Sequence, residues 1–252
     1  MTRLPCVLLI AVLVPALVPF HRGKEGGAAS TTPEVTHYDL EVDVVPATKQ
    51  LRVDATLTVV APDHEIPSLR LFLHKELVVT HATVNGRPVA FSSILGRTSD
   101  APGFSPTAVA VDLSLRPPLA ARASVRVGLR YAGPISTTIN GVNLISEPLT
   151  ELALYSAWYP LLPGTGPFTY ELAVTSPANG AAGAEGQPVC LSDGELVEHR
   201  AQGKTLLCRF RRERRASDVP LILSPRLKSC RVEARGFRAE VFHARVADAA
   251  AE

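Results

Sequence analysis

The chain has 252 residues, 46% of them hydrophobic, with 26 Lys and Arg against 24 Asp and Glu. That length supports one large or two modest domains with a sizeable core. A formal net charge of +2 supplies no electrostatic footprint for nucleic acid. Of four cysteines only Cys190, Cys208 and Cys230 lie beyond the apolar N-terminal run, enough for at most one internal disulfide among them and no disulfide framework.

The N-terminus opens with Met1-Thr2-Arg3, a short positive start. An apolar run, LPCVLLIAVLVPALVPF, follows from Leu4 to Phe20, and then the small and polar HRGKEGGAAS. This layout is that of a secretory signal. It predicts a signal peptide over 1–29, a linker over 30–35 and export to the periplasm or the extracellular space. The apolar run carries Pro5, Pro15 and Pro19 and is short for a membrane span; an uncleaved N-terminal anchor is the alternative. No later segment is long and apolar enough to cross a bilayer.

Beyond residue 35 the dominant period is two, the signature of half-buried strands. In THYDLEVDVV, Tyr38, Leu40, Val42 and Val44 alternate with polar residues, and LRVDATLTVV repeats the pattern from Leu51 to Val59. The intervening PATKQ reads as a turn, predicting a hairpin. SLRLFLH alternates again. LVVTHATVNGRPVAF reads as a second hairpin, because Asn85-Gly86 suits the positive φ of a tight turn. TAVAVDLSL and ASVRVGLRYAG, joined by RPPLAAR, are further strands, as is GPFTYELAVTSP before the low-complexity link ANGAAGAEG. ELVEHRAQGKTLLCRF, VPLILS and RVEARGFRAEVFHARV complete the pattern. No long amphipathic helix is present. Many short strands with Gly and Pro between them predict an all-β fold, a large antiparallel sandwich or saddle-like sheet.

Catalytic motifs are few. His64-Glu65-Ile66-Pro67-Ser68 is a near miss for H-E-x-x-H, in which two His one helical turn apart grip zinc. Ser68 replaces the second His, Pro67 opposes a helix interior, and the flanks read as a solvated turn. His37, His74, His81, His199 and His243 stand singly in strand-like contexts. No nucleophile elbow, phosphate loop or dinucleotide fingerprint is present. RFRRERR, Arg209 to Arg215, reads as a strand end running into an exposed loop, with an anionic-surface patch as the functional alternative. The spacings of Cys190, Cys208 and Cys230 match no zinc motif. PVCLS, ELVEHR and KTLLCRF read as three consecutive strands of a meander, with Cys190 and Cys208 on either side of Leu196. Two strands apart is roughly 9–10 Å, beyond the roughly 7 Å Cα limit for a disulfide.

The only tryptophan, Trp158, stands in LYSAWYPLLPG. Trp158 and Tyr159 read as aromatic anchors whose N–H and O–H find partners when buried. Pro160 and Pro163 stop strand pairing and pin a connection over the core. Leu161 and Leu162 are apolar in a stretch too proline-rich for a core strand, and are expected at an exposed docking face if the chain is one domain of a larger protein.

The order YDLEVDV, LRVDATLTVVA, LRLFLHKELVVTHATVNGRPVAF, RYAGPI and WYPLLPG…FTYELAVTSP resembles the N-terminal β domain of the M1 family of zinc aminopeptidases. The likeness is to aminopeptidase N-like enzymes, in particular bacterial members with Trp-Tyr-Pro before this strand. The resemblance implies an M1-type β domain over 36–247, with 248–252 a tail or the start of a catalytic domain. In that family a separate thermolysin-like domain carries H-E-x-x-H, a downstream Glu ligand and a G-x-M-E-N-type loop. Neither motif is in this sequence, whose one Met is Met1. The resemblance therefore implies a chain inactive by itself, with no cofactor of its own. Zinc is expected only in the catalytic domain, which is the partner in cis or in trans, and peptide substrate is reached only through that domain. No nucleic acid partner is expected, and no membrane contact beyond the N-terminal segment. The family's N-terminal domain can lend a Gln or Glu to the substrate-cleft rim. Glu151, with Glu147 behind it, stands nearest that place, although the Gln-led form of the segment is absent. A free-standing exported β-sandwich that binds or scaffolds a partner is the alternative function.

Overall fold

The period-two alternation is realised as sixteen strands in a computed structural model, which describes residues 31–94, 108–136, 144–178, 188–225, 227–234 and 237–244. The expected signal segment and the C-terminal tail lie outside the described residues, as does residue 30 of the linker; the rest of the linker leads into β1. In chain order the strands are β1 (Glu34–Val45), β2 (Gln50–Val60), β3 (Ile66–His74), β4 (Val78–Val84), β5 (Arg87–Pro88), β6 (Phe91–Ile94), β7 (Ala108–Leu119) and β8 (Ser124–Pro134). They continue as β9 (Thr150–Leu152), β10 (Phe168–Pro177), β11 (Val189–Leu191), β12 (Glu195–Gln202), β13 (Thr205–Ala216), β14 (Leu221–Ser224), β15 (Leu227–Ala234) and β16 (Phe237–Ala244). No helix among the described residues is long and apolar enough to cross a membrane.

Eight strands form one sheet in the order β12-β13-β10-β1-β2-β8-β4-β5. Two three-stranded sheets, β3-β7-β6 and β11-β14-β9, share a single hydrophobic core with it. β15 and β16 form a separate hairpin. The expected β1–β2 hairpin forms, turning through Pro46–Thr48 with Lys49 left-handed. Its alternation sets the faces: Tyr38, Leu40, Val42 and Val44 are buried while Asp39, Glu41 and Asp43 are exposed. Asn85 and Gly86 both take positive φ at the β4–β5 turn, as that pair predicts.

Three features go beyond the sequence reading or depart from it. The large sheet is mixed, not purely antiparallel: β1 runs parallel to β10, with Leu40 opposite Leu172. The chain between these two strands leaves for the other sheets and returns, so β10 enters beside β1 in the same direction. Second, β7 and β8 are consecutive in sequence but lie in different sheets. Third, the expected three-strand meander does not form. β12 and β13 are a hairpin, but β11 pairs with β14, placing Cys190 opposite Leu223. Asp193 and Gly194 therefore carry the chain between sheets instead of closing a hairpin.

The arginine run is part of β13 throughout its length. Arg209 meets Glu198 at 3.2 Å, and Arg211 meets Glu171 at 3.2 Å. These cross-strand ion pairs lie on the solvent face, where each contributes little. Gly133 is fixed by close backbone approach: a Cβ there would sit 2.1 Å from the Glu76 carbonyl oxygen. Gly133→Ala is expected to cost about 1–3 kcal/mol in urea unfolding through overpacking; unchanged stability would show that the β4 entry yields freely.

Candidate functional site

The segment Ala157 to Leu161 runs through the core without a strand ladder of its own. Proline has no N–H to give a neighbour, so this stretch cannot be an ordinary central strand. Its polar backbone groups still require partners once buried. Tyrosine hydroxyls supply two of them: Tyr131 donates to the Trp158 carbonyl at 3.1 Å and Tyr38 to the Pro160 carbonyl at 2.9 Å. Burial holds both phenols above their ordinary pKa, so both remain donors. The backbone N–H of His74 donates to the Ala157 carbonyl at 2.8 Å, and Leu161 exchanges both backbone bonds with Phe72 at the edge of β3. The connection is thereby bonded to β1, β8 and β3 at once.

Its side chains complete the joint. Trp158 and Tyr159 are fully buried and Pro160 is buried. The Trp158 indole donates to the Val219 carbonyl at 3.1 Å, reaching the approach to β14. Tyr38, Tyr159, Phe168 and Trp158 meet edge to face, with the Tyr38–Phe168 centroids 4.7 Å apart. Tyr159 donates to the Asp218 carboxylate at 3.1 Å, and the Val219 N–H donates to the same oxygen at 2.7 Å. Asp218 carries no signal of this role in the sequence. Its Ser-Asp-Val-Pro context reads as an ordinary turn, and nothing local marks it as the partner of a tyrosine 59 positions away.

Leu161 and Leu162 correct the sequence expectation. They are 3% and 4% exposed, within the chain's own core, and so do not form a bare docking face. The reason is the Leu161–Phe72 backbone exchange, which draws the proline-rich segment in against β3. Exposed apolar side chains instead flank β9: Leu149 just before it, and Tyr155, 65% exposed, in the 3-10 turn Leu154–Ser156 just after it. Glu151 is half-buried on β9 between them, opposite Ile222 of β14. Glu147 lies on the exposed turn leading into β9, where Ser146 Oγ donates to the Leu149 carbonyl at 2.6 Å. The two glutamates thus lie on one short approach, one beside the apolar pair and one in solvent.

No group of three or more His, Cys, Asp or Glu among the described residues could hold a metal ion. His64 and Glu65 lie on an exposed loop, and Pro67 and Ser68 are in β3. His74 is buried at the end of β3, where its Nδ1 accepts the Glu76 N–H at 3.3 Å. An open depression of about 470 Å³, lined by Thr56, Thr83, Asn85, Gly86, Arg126 and Gly128, lies toward the opposite edge of the large sheet from β12.

No protein-family model matches the sequence, and no curated protein is significantly similar to it. Solved structures are similar in fold. The M1 zinc metallopeptidase from Deinococcus radiodurans superposes with a TM-score of 0.60 at 21% identity, over 82% of this chain and 45% of that one. A variant of it bound to a Tyr-Ser-Ala substrate gives 0.63 at 19%, over 89% and 51%. A two-domain M1 zinc metallopeptidase variant bound to L-arginine gives 0.59 at 19%, over 85% and 48%. The chain has the all-β fold of an M1-type N-terminal domain. It spans about half the length of these structures.

Two outcomes follow from the joint. Trp158→Ala is expected to cost about 3–5 kcal/mol in denaturant unfolding; a loss under about 1 kcal/mol would remove Trp158 from the core. Burial also raises the Asp218 carboxyl above its ordinary 3.8, against the hydrogen bonds it accepts from Leu154, Tyr159 and Val219. The native state therefore keeps this proton to higher pH than the unfolded chain. The stabilisation is full below the unfolded value and is lost as pH rises through the raised native one. Asp218→Asn keeps an acceptor and removes the titration. The variant should gain stability relative to wild type as pH rises from about 4; parallel pH profiles would refute the assignment.

Proposed function

We propose that the chain is the non-catalytic N-terminal β domain of an exported M1-type zinc aminopeptidase of the aminopeptidase N-like, Trp-Tyr-Pro-bearing kind. It packs on a catalytic domain supplied in cis or in trans and helps to shape the substrate cleft. The agreement in fold with M1 metallopeptidase structures, over more than four-fifths of this chain and about half of theirs, carries the reading. Zinc and the peptide substrate belong to the catalytic domain. This chain contributes a shaped surface, with Glu151 as the rim carboxylate and Glu147 behind it. The docking contribution shifts from Leu161 and Leu162 to Leu149 and Tyr155, the exposed apolar side chains beside β9. Inter-domain faces of this kind bury about 600–1,500 Å². Export follows from the N-terminal segment, and neither nucleic acid nor a membrane beyond that segment is a partner.

The burial of Leu161 and Leu162 within the chain's own core favours a second reading, a free-standing exported β-sandwich that binds or scaffolds another protein.

The purified chain is expected to hydrolyse no aminoacyl substrate and to retain no stoichiometric zinc, because catalytic zinc needs three protein ligands. A photo-crosslinking side chain at position 155, used in the native cells, should capture a polypeptide segment bearing H-E-x-x-H. Chelator-sensitive aminopeptidase activity from the chain alone would overturn the non-catalytic assignment. Exclusive cross-linking at position 155 to a partner lacking that motif would select the free-standing module.

A further inference from the structure

Cys190 and Cys208 come from different sheets and meet in the core. Cys208 lies on β13, on the face that also buries Leu206 and Phe210. Cys190 lies on β11, between β11's two half-buried neighbours Val189 and Leu191. Cys190 is 3% and Cys208 0% exposed, and their side chains lie side by side in the core, close enough to act on one another. A second contact closes the same corner: His199, opposite Cys208 on β12, places its Nε2 3.2 Å from the Pro188 carbonyl oxygen, just before β11. Tyr170 of β10 also holds the β11–β12 corner, bonding to Ser192 Oγ at 2.8 Å and to the Asp193 carboxylate. Both cysteines are free thiols in this structure.

We propose that Cys190 and Cys208 are a disulfide-forming pair that staples the β11-β14-β9 sheet to the large sheet. Two S–H bonds break and one S–S bond forms. The two electrons and two protons pass to the disulfide of a thiol–disulfide oxidant, which becomes a pair of thiols. Attack requires a thiolate. The contact with Cys208 and then burial push the Cys190 thiol far above its ordinary range, so the folded reduced protein reacts slowly. The bond therefore forms while the chain folds, before the corner closes, and resists reductant afterwards. The staple holds β14, and with it β9, which carries Glu151 and is flanked by Leu149 and Tyr155. The pairing stands on this chain's own geometry. Only its occurrence in cells depends on export, since oxidising compartments sustain such bonds.

The test uses the full chain, refolded from denaturant in a reduced and oxidised glutathione mixture, then alkylated and digested with trypsin without reduction. Lysine and arginine residues between the two cysteines place them on separate peptides unless they are bonded. A linked Cys190–Cys208 pair is expected, with Tm raised by roughly 6–12 °C over the same protein refolded in dithiothreitol. Cys230→Ser should keep the linkage and the shift; Cys208→Ala should abolish both. Diamide added to the folded reduced protein should oxidise the pair far more slowly than refolding does. Natively folded wild-type protein with Cys190 and Cys208 both alkylated after oxidative refolding, or linked instead to Cys230, would overturn the proposal. So would a bond that forms without moving Tm.

Discussion

The fold depends on satisfying the backbone of a segment that cannot pair as a strand. Pro160 removes a donor, and burial removes water from the carbonyls around it. Tyr38 and Tyr131 reach up from the large sheet to those carbonyls, while Phe72 and His74 receive the same segment from β3. An unpaired buried carbonyl costs about 1–3 kcal/mol, so losing either hydroxyl would leave a deficit that the aromatic packing alone does not offset. One short connection therefore fixes the spacing of two sheets and, through the Trp158 indole and Asp218, the approach to a third.

That arrangement decides where a functional surface can be. The apolar side chains of the Trp-Tyr-Pro connection are consumed by the chain's own core. What remains exposed is the rim beside it, where β9 carries Glu151 between Leu149 and Tyr155. β9 is placed by pairing with β14, and β14 is entered through Val219, the acceptor of the tryptophan. The candidate rim is thus tied rigidly to the joint without belonging to it. Rigid support of this kind is what a surface that shapes a neighbouring cleft needs. The solvent face of the large sheet has a different character: Arg130–Asp54, Arg211–Glu171 and Arg209–Glu198 pair across strands there. Opposite charges at cross-strand positions keep a broad exposed sheet soluble and bias its register, and they absorb much of an arginine run that could otherwise be read as an anion site.

The sequence by itself determined the class of fold and the faces of its main strands. Alternation from Tyr38 to Val44 and from Leu51 to Val59 marked the buried positions, and Asn85-Gly86 marked a tight turn, because side-chain period and turn geometry are local properties. The order of segments pointed to an M1-type β domain, and the fold agrees. Beyond the local hairpins, tertiary structure alone decided which strands are neighbours. β7 and β8 adjoin in sequence and part in space; β1 and β10 lie far apart in sequence and pair in parallel. The same freedom defeated the cysteine argument: period two placed Cys190 on a strand, but could not say that the next turn crosses to another sheet, bringing its thiol to Cys208. It also defeated the docking argument, since proline in Tyr-Pro-Leu-Leu-Pro excludes a regular ladder but not a buried connection bonded by distant tyrosines. Asp218 left no trace in the sequence, because its role comes entirely from a hydroxyl 59 positions away. Local chemistry sets what each segment can be; contacts between segments remote in the chain set what it touches.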